Sequence, residues 1–249
     1  YRTWLARPEG TEQTFPADKE RVAAILAAAR TAGRERLTEA EALAVLDAYG
    51  IPTAPWRAAR TAEEAMLAAA QVGYPVVLKV MSEQIVHKSD VGGVVLDLKT
   101  VDEVREGYAR LVRRVRERTG VDVREVLVQR MLPGGRETIV GMTRDPRIGP
   151  LLMFGLGGIF VEAMKDVVFR VHPLTDVDAH EMIRGVRGFA ILEGMRGETS
   201  VHLVGLEEVL QRASQLVGDH DALLEMDINP LVAFPDRVAA LDARFRIAR

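Results

Sequence analysis

Short runs of apolar residues alternate with alanine-rich and charged segments along most of this chain. Runs rich in valine, leucine and isoleucine that are bounded by turn residues predict β-strands. We place these strands at Val76–Val80, Val94–Leu98, Val126–Arg130, Thr138–Met142, Leu151–Phe154, Val167–Val171, Glu225–Ile228 and Val238–Ala243. Strands and helices interleave without a regular βαβ repeat. This pattern predicts an α+β fold, within the broader α/β class, rather than one doubly wound sheet.

The predicted helices carry start and stop signals. Thr38, Thr61 and Thr100 each precede a glutamate by three residues, which is the spacing of a capping box. Glycine near the end of a helical pattern is a stop signal, and it occurs at Gly33, Gly50, Gly73 and Gly120. We predict helices over Ala17–Ala32, after each of the three threonines, and around Asp178–Arg184 and Leu206–Val217.

Composition narrows the class of protein. The chain has 249 residues and is 48% hydrophobic, so it has room for one large domain or two smaller lobes. A net charge of -3 argues against a nucleic-acid binder. There is no cysteine, which excludes disulfides and thiolate metal sites. No apolar run is long enough to span a membrane and no signal-peptide pattern is present, so we expect a cytoplasmic location without membrane contact.

The segment Tyr74–Leu98 contains the strongest candidate chemistry. Lys79 lies in an apolar strand, where an unpaired charge is costly, so it needs an anionic partner. Gly92 and Gly93 follow in a polar loop, and glycine lets backbone N–H groups approach phosphate oxygens. We interpret the segment as a clamp for nucleotide phosphates, with Lys88 as a second contact. The alternative is that Lys79 is an edge-strand lysine that discourages aggregation.

His87 stands in the same loop. An imidazole can act as a nucleophile toward a phosphoryl group and form a covalent intermediate. A lone loop histidine would be interpreted as solvent-facing, but His87 is followed by Lys88, Ser89 and the glycine pair. The surroundings therefore favour a catalytic role.

A pattern of oxygen-bearing side chains near the C-terminal end suggests a metal site. Side chains alternate along a strand, so Asp227 and Asn229 point to the same face. The next strand brings Asp242 back toward them. Two carboxylates and one amide oxygen suit Mg²⁺, which keeps bound waters and is also coordinated by substrate phosphates. The alternative is an ordinary hairpin with an Asn–Pro turn.

Three weaker signals remain. The glycine-rich run with Gly157 and Gly158 lacks the ending of a P-loop and the third glycine of a dinucleotide fingerprint. Its backbone N–H groups can still donate hydrogen bonds to an anion. The alternative is that the run is only a tight turn. Gln129 and Met131 belong to an extended segment whose backbone can contact an adenine edge, and Glu137 can accept hydrogen bonds from a ribose. Arg170 is a further candidate anion contact, with a surface arginine as the alternative.

Four motifs in one order give the chain a specific resemblance: HKSDVGGV, GLGGIFVE, LLEMDINPLVAF and LDARFR. From about Leu37 onward it resembles the ATP-grasp domain of ADP-forming acyl-CoA synthetases, which are relatives of succinyl-CoA synthetase. The resemblance implies two α+β lobes that hold ATP or ADP with Mg²⁺. It places these lobes at residues 37–130 and 131–249, and it makes residues 1–36 a linker and a helix from an upstream domain.

The resemblance also implies roles for individual residues. It implies a phosphate contact at Lys79, hinge contacts at Gln129 and Met131, an acidic residue after the hinge at Glu137, and a mobile loop over the phosphates at Gly92 and Gly93. It implies Mg²⁺ ligands at Asn229 and Asp242 with Asp227 beside them, and a phosphate-relaying histidine at His87.

The implied reaction is acyl-CoA + ADP + phosphate ⇌ carboxylic acid + CoA + ATP. The implied partner is a CoA-binding domain or α subunit that also holds the acid. Because the extension Tyr1–Arg36 resembles the linker that precedes this domain in fused members of the family, we expect the chain to be the C-terminal portion of a larger synthetase. Two alternatives stay open: a ligand-sensing domain of a protein lysine acetyltransferase, and an ATP-grasp ligase that joins a carboxylate to an amine. The loop around His87 disfavours the second of these.

Overall fold

The chain forms two compact units, and the described part of each contains one β-sheet. In this computed structural model the described residues are 9–82, 85, 88–158, 166–194 and 199–249. The smaller unit consists of Thr38–Ala40 and Thr53–Pro133, and the larger unit consists of the chain up to Leu37, Glu41–Pro52 and Gly134–Arg249. The mixture of helices and antiparallel strands confirms the predicted α+β class.

Within the described residues, the helices are α1 (Lys19–Thr31), α2 (Glu39–Ala48), α3 (Ala62–Val72), α4 (Val101–Thr119), α5 (Asp176–Arg184), α6 (Phe189–Glu193) and α7 (Leu203–Asp219). The strands are β1 (Trp56–Ala59), β2 (Val76–Met81), β3 (Val94–Leu98), β4 (Glu125–Arg130), β5 (Arg136–Asp145), β6 (Gly149–Leu156), β7 (Val167–Val171), β8 (Leu223–Ala233), β9 (Val238–Ala240) and β10 (Ala243–Ile247). The sequence pattern does not predict β1 and α6, which are both short. No helix in the described part of the chain has the length and apolar character needed to cross a bilayer.

The smaller unit is built on an antiparallel sheet with the strand order β1–β4–β2–β3. Side chains alternate between the two faces of a strand. Val76, Leu78 and Val80 of β2 therefore share one face, where they join an apolar cluster with α3 and α4. Val77 and Lys79 lie on the other face. Because β2 pairs with a neighbour on each side, the edge-strand alternative for Lys79 is wrong.

Threonine side chains cap the N-terminal ends of α3 and α4. The hydroxyl oxygen of Thr61 accepts a hydrogen bond from the Glu64 N–H at 3.1 Å, and that of Thr100 accepts one from the Glu103 N–H at 3.2 Å. Each cap satisfies a backbone donor that has no partner inside its helix. Gly120 ends α4 in the left-handed conformation, with φ of 71°. The start and stop signals of these helices are confirmed.

The larger unit is built on a sheet with the strand order β10–β8–β5–β6–β7, and β9 pairs with β8. One face carries Val140, Leu152 and Ile228, which are buried in an apolar cluster with α1, α2, α5 and α7. The opposite face carries less buried side chains, among them Asp227 and Asn229. Both are less buried than Ile228 between them, as alternation along a strand predicts, and the pairing of β8 with β5 shifts register just after Ile228.

The C-terminal strands differ from the prediction. The pattern predicts one strand over Val238–Ala243, but the structure has β9 and β10 with a break at Leu241 and Asp242. Both strands pair with the long strand β8. The break lies opposite Pro230, which has no N–H and therefore cannot donate to the ladder. The Leu241 N–H instead donates to the Pro230 carbonyl at 3.0 Å.

Residues 9–36 pack onto the larger unit. The Thr11 N–H donates to the carboxylate of Asp176 at 2.8 Å, and the Asp176 N–H donates back to the Thr11 carbonyl at 3.1 Å. The Phe15 backbone exchanges two hydrogen bonds with the Gln215 side chain, at 2.8 and 3.0 Å. Three side chains of α1 are buried in the apolar cluster: Val22, Leu26 and Ala29. The origin of this segment in an upstream domain stays a prediction, but here it is part of a packed core.

Candidate functional site

Lys79 lies beside a buried carboxylate. Its Nζ atom donates to Oε1 of Glu39 at 2.7 Å, and Nζ of Lys88 contacts Oε2 of the same carboxylate. The Glu39 side chain is 5% exposed, whereas those of Lys79 and Lys88 are 16% and 23% exposed. The anionic partner that the sequence requires for Lys79 is therefore present within the smaller unit.

Glu39 is held in its charged form. Burial opposes ionisation of a carboxyl group and by itself raises its pKa. The charges and hydrogen bonds of Lys79 and Lys88 together outweigh burial, so the pKa of Glu39 lies below its ordinary value. The three side chains therefore form a cluster of two cations and one anion.

Gly92 and Gly93 shape the turn between Lys88 and β3. Gly92 has a φ of 71°, which favours glycine. A Cβ atom on Gly93 would lie 2.5 Å from Cγ1 of Val80. The Gly93 N–H donates to the Lys88 carbonyl and the Gly93 carbonyl accepts from the Val80 N–H, both at 2.7 Å. The glycine pair thus ties the loop to β2, and in this structure the Gly93 N–H serves the turn itself.

The predicted nucleophile, His87, lies outside the described residues. Its role stays a prediction. The described chain resumes at Lys88, the next residue, whose ammonium group is held by Glu39.

Gln129 and Met131 lie at the end of β4 and just beyond it. Gln129 pairs with Val77 and so shares the face of the sheet that carries Lys79. Its side chain is buried, and among the described residues its Nε2 atom has no hydrogen-bond partner. A buried donor without a partner is costly and marks a position where a ligand could complete the hydrogen bonding. The Met131 N–H donates to the Pro75 carbonyl at 2.9 Å.

Glu137, Gly157 and Gly158 lie together in the larger unit. The Gly157 N–H donates to the Glu137 carbonyl at 2.7 Å. A Cβ atom on Gly157 would lie 2.8 Å from Cβ and 3.0 Å from the carbonyl carbon of Glu137, so glycine is needed for this close approach. A Cβ on Gly158 would lie 3.6 Å from Oε2 of Glu137. The structure therefore brings three predicted residues to one place.

Asp227, Asn229 and Asp242 lie where β8 meets the break between β9 and β10. The Asn229 N–H donates to the Asp242 carbonyl at 3.1 Å. Burial raises the pKa of Asp227, and the charge of Arg244 on the neighbouring strand offsets this only in part. The negative charge of Asp227 is therefore only partly balanced by neighbouring groups. A divalent cation bound beside it would balance that charge.

The donor atoms of this group fit Mg²⁺, because they are hard oxygen ligands. Within the described ranges, no group of three or more His, Cys, Asp or Glu side chains is placed to hold a metal ion. In this part of the larger unit the candidate ligands are the amide oxygen of Asn229 and the carboxylates of Asp227 and Asp242, and their role as metal ligands stays a prediction.

Arg170 makes contacts inside the larger unit. Its Nη2 atom lies 3.4 Å from Oε2 of Glu181, and its Nε atom lies 3.8 Å from Oδ1 of Asp178. Both carboxylates belong to α5, so the guanidinium links β7 to that helix. The predicted anion contact of Arg170 stays a prediction.

Sequence reasoning misses Glu39. An acidic residue in the first turn of a helix is common because it interacts favourably with the helix dipole, so its type and position attract no attention. The one available signal is indirect, namely that Lys79 needs an anion. Nothing in the spacing of the two residues identifies which of many carboxylates supplies it.

A comparison with protein-family models adds a decisive observation to this geometry. The model of the ATP-grasp domain matches residues 28–247. The chain belongs to the ATP-grasp family. The ATP-grasp fold predicted from the four motifs is thereby confirmed.

Individual relatives of this ATP-grasp chain are acid–CoA ligases. It is 46% identical to the β subunit of ADP-forming acetate–CoA ligase I from Pyrococcus furiosus, over 84% of this chain and 90% of that subunit. It is 47% identical to ADP-forming acetate–CoA ligase I from Archaeoglobus fulgidus, over 84% of this chain but only 30% of that protein. The resemblance to ADP-forming acyl-CoA synthetases is confirmed.

A solved structure supports the same relationship. The acetyl-coenzyme A synthetase 1 of Ca. Korarchaeum cryptofilum, in complex with coenzyme A and Mg-AMPPCP, is 40% identical with a TM-score of 0.82, and the match covers 91% of this chain and all of the other. In that protein a phosphohistidine segment points towards the nucleotide binding site.

Proposed function

We propose that this chain is the nucleotide-binding part of an ADP-forming acid–CoA ligase, which catalyses acyl-CoA + ADP + phosphate ⇌ carboxylic acid + CoA + ATP. The observation that carries the proposal is the buried cluster of Lys79, Lys88 and Glu39 in a chain of the ATP-grasp family. Two ammonium groups on one carboxylate, one from the central strand β2 and one from the loop before β3, suit the phosphates of a nucleotide, to which lysine binds as a point charge.

The other candidate residues divide the remaining tasks. In this proposal the buried amide of Gln129 and the backbone at Met131 contact the base, and Glu137 accepts hydrogen bonds from the ribose. The unpartnered Nε2 atom of Gln129 supports the first assignment. The close approach of Gly157 to Glu137 supports a compact nucleotide-facing turn, with Gly158 beside it.

Asp227, Asn229 and Asp242 would hold Mg²⁺. The ion supplies positive charge that stabilises the phosphates during phosphoryl transfer. The raised pKa of Asp227 supports this assignment, because its charge is incompletely balanced in the chain alone.

His87 would exchange a phosphoryl group with the nucleotide. The N–P bond of phosphohistidine breaks as an oxygen of the ADP β-phosphate forms the new O–P bond, and the imidazole is regenerated. The phosphate reaches His87 from a CoA-binding domain or α subunit, which also binds the carboxylic acid and CoA. Support comes from the long match to a β subunit and from the much longer relative of which this chain spans 30%. A cytoplasmic location belongs to the same proposal.

Calorimetry tests nucleotide binding. We expect Mg·ADP to bind the 249-residue chain and the substitution Lys79→Met to weaken that binding by about tenfold or more, because a charge-assisted contact to phosphate is lost. Lys99→Met removes an exposed lysine paired with Asp97 and is the matched control, with unchanged affinity expected. A lack of Mg·ADP binding, or equal affinity in Lys79→Met, would contradict the proposal.

A labelling experiment tests the phosphoryl transfer. We expect ATP labelled in its γ-phosphate to transfer an acid-labile, base-stable label to the chain, and His87→Ala to abolish it. His180→Ala replaces an exposed histidine paired with Glu207 and should keep the label. A label that persists in His87→Ala would exclude the relay role of this residue.

A further inference from the structure

Glu39 joins two cations that come from different parts of the smaller unit. Lys79 belongs to the central strand β2, and Lys88 belongs to the loop before β3. The carboxylate presents one oxygen to each ammonium group, and Glu39 itself is the first residue of α2. We propose that Glu39 is a positioning residue that holds the ammonium groups of Lys79 and Lys88 where the nucleotide phosphates bind. This inference rests on the proposed function.

The chemistry of lysine makes such a residue necessary. Its ammonium group is a compact charge on a flexible stem, without the fixed fork of arginine, so the side chain alone does not define where the charge lies. An ionised carboxylate has two acceptor oxygens and can fix two ammonium groups at once. An amide of the same shape cannot, because its oxygen accepts from one lysine while its NH₂ group faces the other as a second donor.

The contact with Glu39 fixes the side chain of Lys88 but not its backbone. The backbone of Lys88 is hydrogen-bonded to Gly93, and Gly93 is hydrogen-bonded to Val80 of β2. The side chain of Lys88 is held separately, by Glu39. Loss of the carboxylate would release the side chain but leave the backbone hydrogen bonds in place. Since the Lys88 side chain is already 23% exposed, its ammonium group would turn to solvent while the turn persists.

A double-mutant cycle on Mg·ADP affinity tests the inference. The unaltered 249-residue chain, Glu39→Gln, Lys88→Gln and the double variant are compared by calorimetry. We expect each single substitution to raise the dissociation constant by about tenfold or more, since each removes a charge-assisted contact or its support. The double variant should bind more tightly than the product of the two losses predicts, because the part of the Glu39→Gln loss that comes from the Lys88 ammonium group is counted in both single variants. Additive losses would overturn the inference.

Two further variants show whether a loss of affinity comes from lost positioning of the lysines, from unfolding, or from the loss of a negative charge alone. Glu41→Gln removes a carboxylate from the same helix, where it pairs with Arg34, and should leave the affinity unchanged. Glu39→Asp keeps the charge and should recover part of the affinity that Glu39→Gln loses. Melting temperatures of all variants show whether each is folded at the assay temperature, and Glu39→Asp replaces Glu39→Gln in the cycle if the latter does not fold.

The outcomes distinguish this inference from the proposed function. If the unaltered chain does not bind Mg·ADP, both the proposed function and this inference are wrong. If the unaltered chain binds and Glu39→Gln binds equally well, only the inference fails. Tighter binding by Glu39→Gln would show that the carboxylate competes with phosphate, and it would also overturn the positioning role.

Discussion

At Gly157 the backbones of β5 and β6 come so close that a methyl group has no room. We expect Gly157→Ala to weaken Mg·ADP binding and to lower the melting temperature, because a Cβ atom would meet the Glu137 backbone and force the two strands apart. Thermal unfolding and calorimetry measure both effects. Gly33→Ala is the control: its φ of 71° makes alanine strained there too, but no atom lies within 4 Å of the added Cβ. Equal nucleotide affinity in Gly157→Ala and the unaltered chain would contradict this expectation.

If Asp227 is a Mg²⁺ ligand as proposed, it should couple metal binding to stability. Burial raises the pKa of Asp227, and the charge of Arg244 offsets this only in part, so the charged carboxylate costs more free energy in the folded chain than in the unfolded chain. We therefore expect Asp227→Asn to increase the free energy of unfolding without Mg²⁺ and to weaken Mg·ADP binding. Urea unfolding at pH 7 measures the first effect and calorimetry the second. Asp236→Asn, at an exposed carboxylate paired with Arg237, should change neither; a destabilised Asp227→Asn would refute the argument.

Sequence predicts the cations of the candidate site better than their partners. Lys79 is recognisable because a charge interrupts an apolar strand. Glu39 is not, because its role depends on which side chains lie nearby in the folded unit. The carbonyl contact between Gly157 and Glu137 is likewise a property of strand register, to which a glycine in the sequence gives only a general clue.

The N-terminal cap of α4 is an element-scale feature with a measurable contribution. Thr100→Ala removes the acceptor for the Glu103 N–H. We expect this substitution to reduce the free energy of unfolding by about 1 kcal/mol, the usual value of a threonine cap. Chemical denaturation measures the change. Thr31→Ala is the matched control, since its hydroxyl donates to the Ala27 carbonyl within α1, and we expect a much smaller effect there.

Elements with local signals are predicted well, and elements defined by tertiary pairing are not. The caps at Thr61 and Thr100 act within a few residues, so the sequence contains all that is needed. Strand β1 has no alternating apolar pattern and exists because it pairs with β4. The break between β9 and β10 lies opposite Asn229 and Pro230 of β8, so its position is set by pairing with a distant strand.

Two half-buried histidines should make the stability of the whole molecule depend on pH. Burial lowers the pKa of His172, which contacts the Ser214 hydroxyl, and of His220, which packs edge-on against the Tyr49 ring. As the pH falls below about 6.5, the unfolded chain takes up protons at these positions before the folded chain does. We expect the free energy of unfolding to fall from pH 7.5 to pH 5.5.

Urea unfolding at the two pH values measures this dependence. His172→Gln and His220→Gln should each flatten it, whatever they do to stability at pH 7.5. His180→Gln, at an exposed histidine, is the control. A pH dependence that is the same in all three variants would assign the effect to other groups.

At the scale of the whole molecule, the four motifs were sufficient to predict the ATP-grasp fold, which the family match confirms. The placement of residues 9–36 was not predictable in the same way. An alanine-rich helix with one apolar edge shows that it packs against something, but it does not specify the surface. The structure shows that Val22, Leu26 and Ala29 meet the core of the larger unit.

That anchored N-terminal segment has a consequence for fusion and trimming. A protein segment fused ahead of residue 9 would be attached to the larger unit, which carries Asp227 and Asn229. This follows because Thr11 and Phe15 are hydrogen-bonded to that unit. Deleting everything before Leu37 would uncover an apolar patch where α1 packs, and such patches promote aggregation. We therefore expect a protein expressed with α1 to aggregate less than one that begins at Leu37.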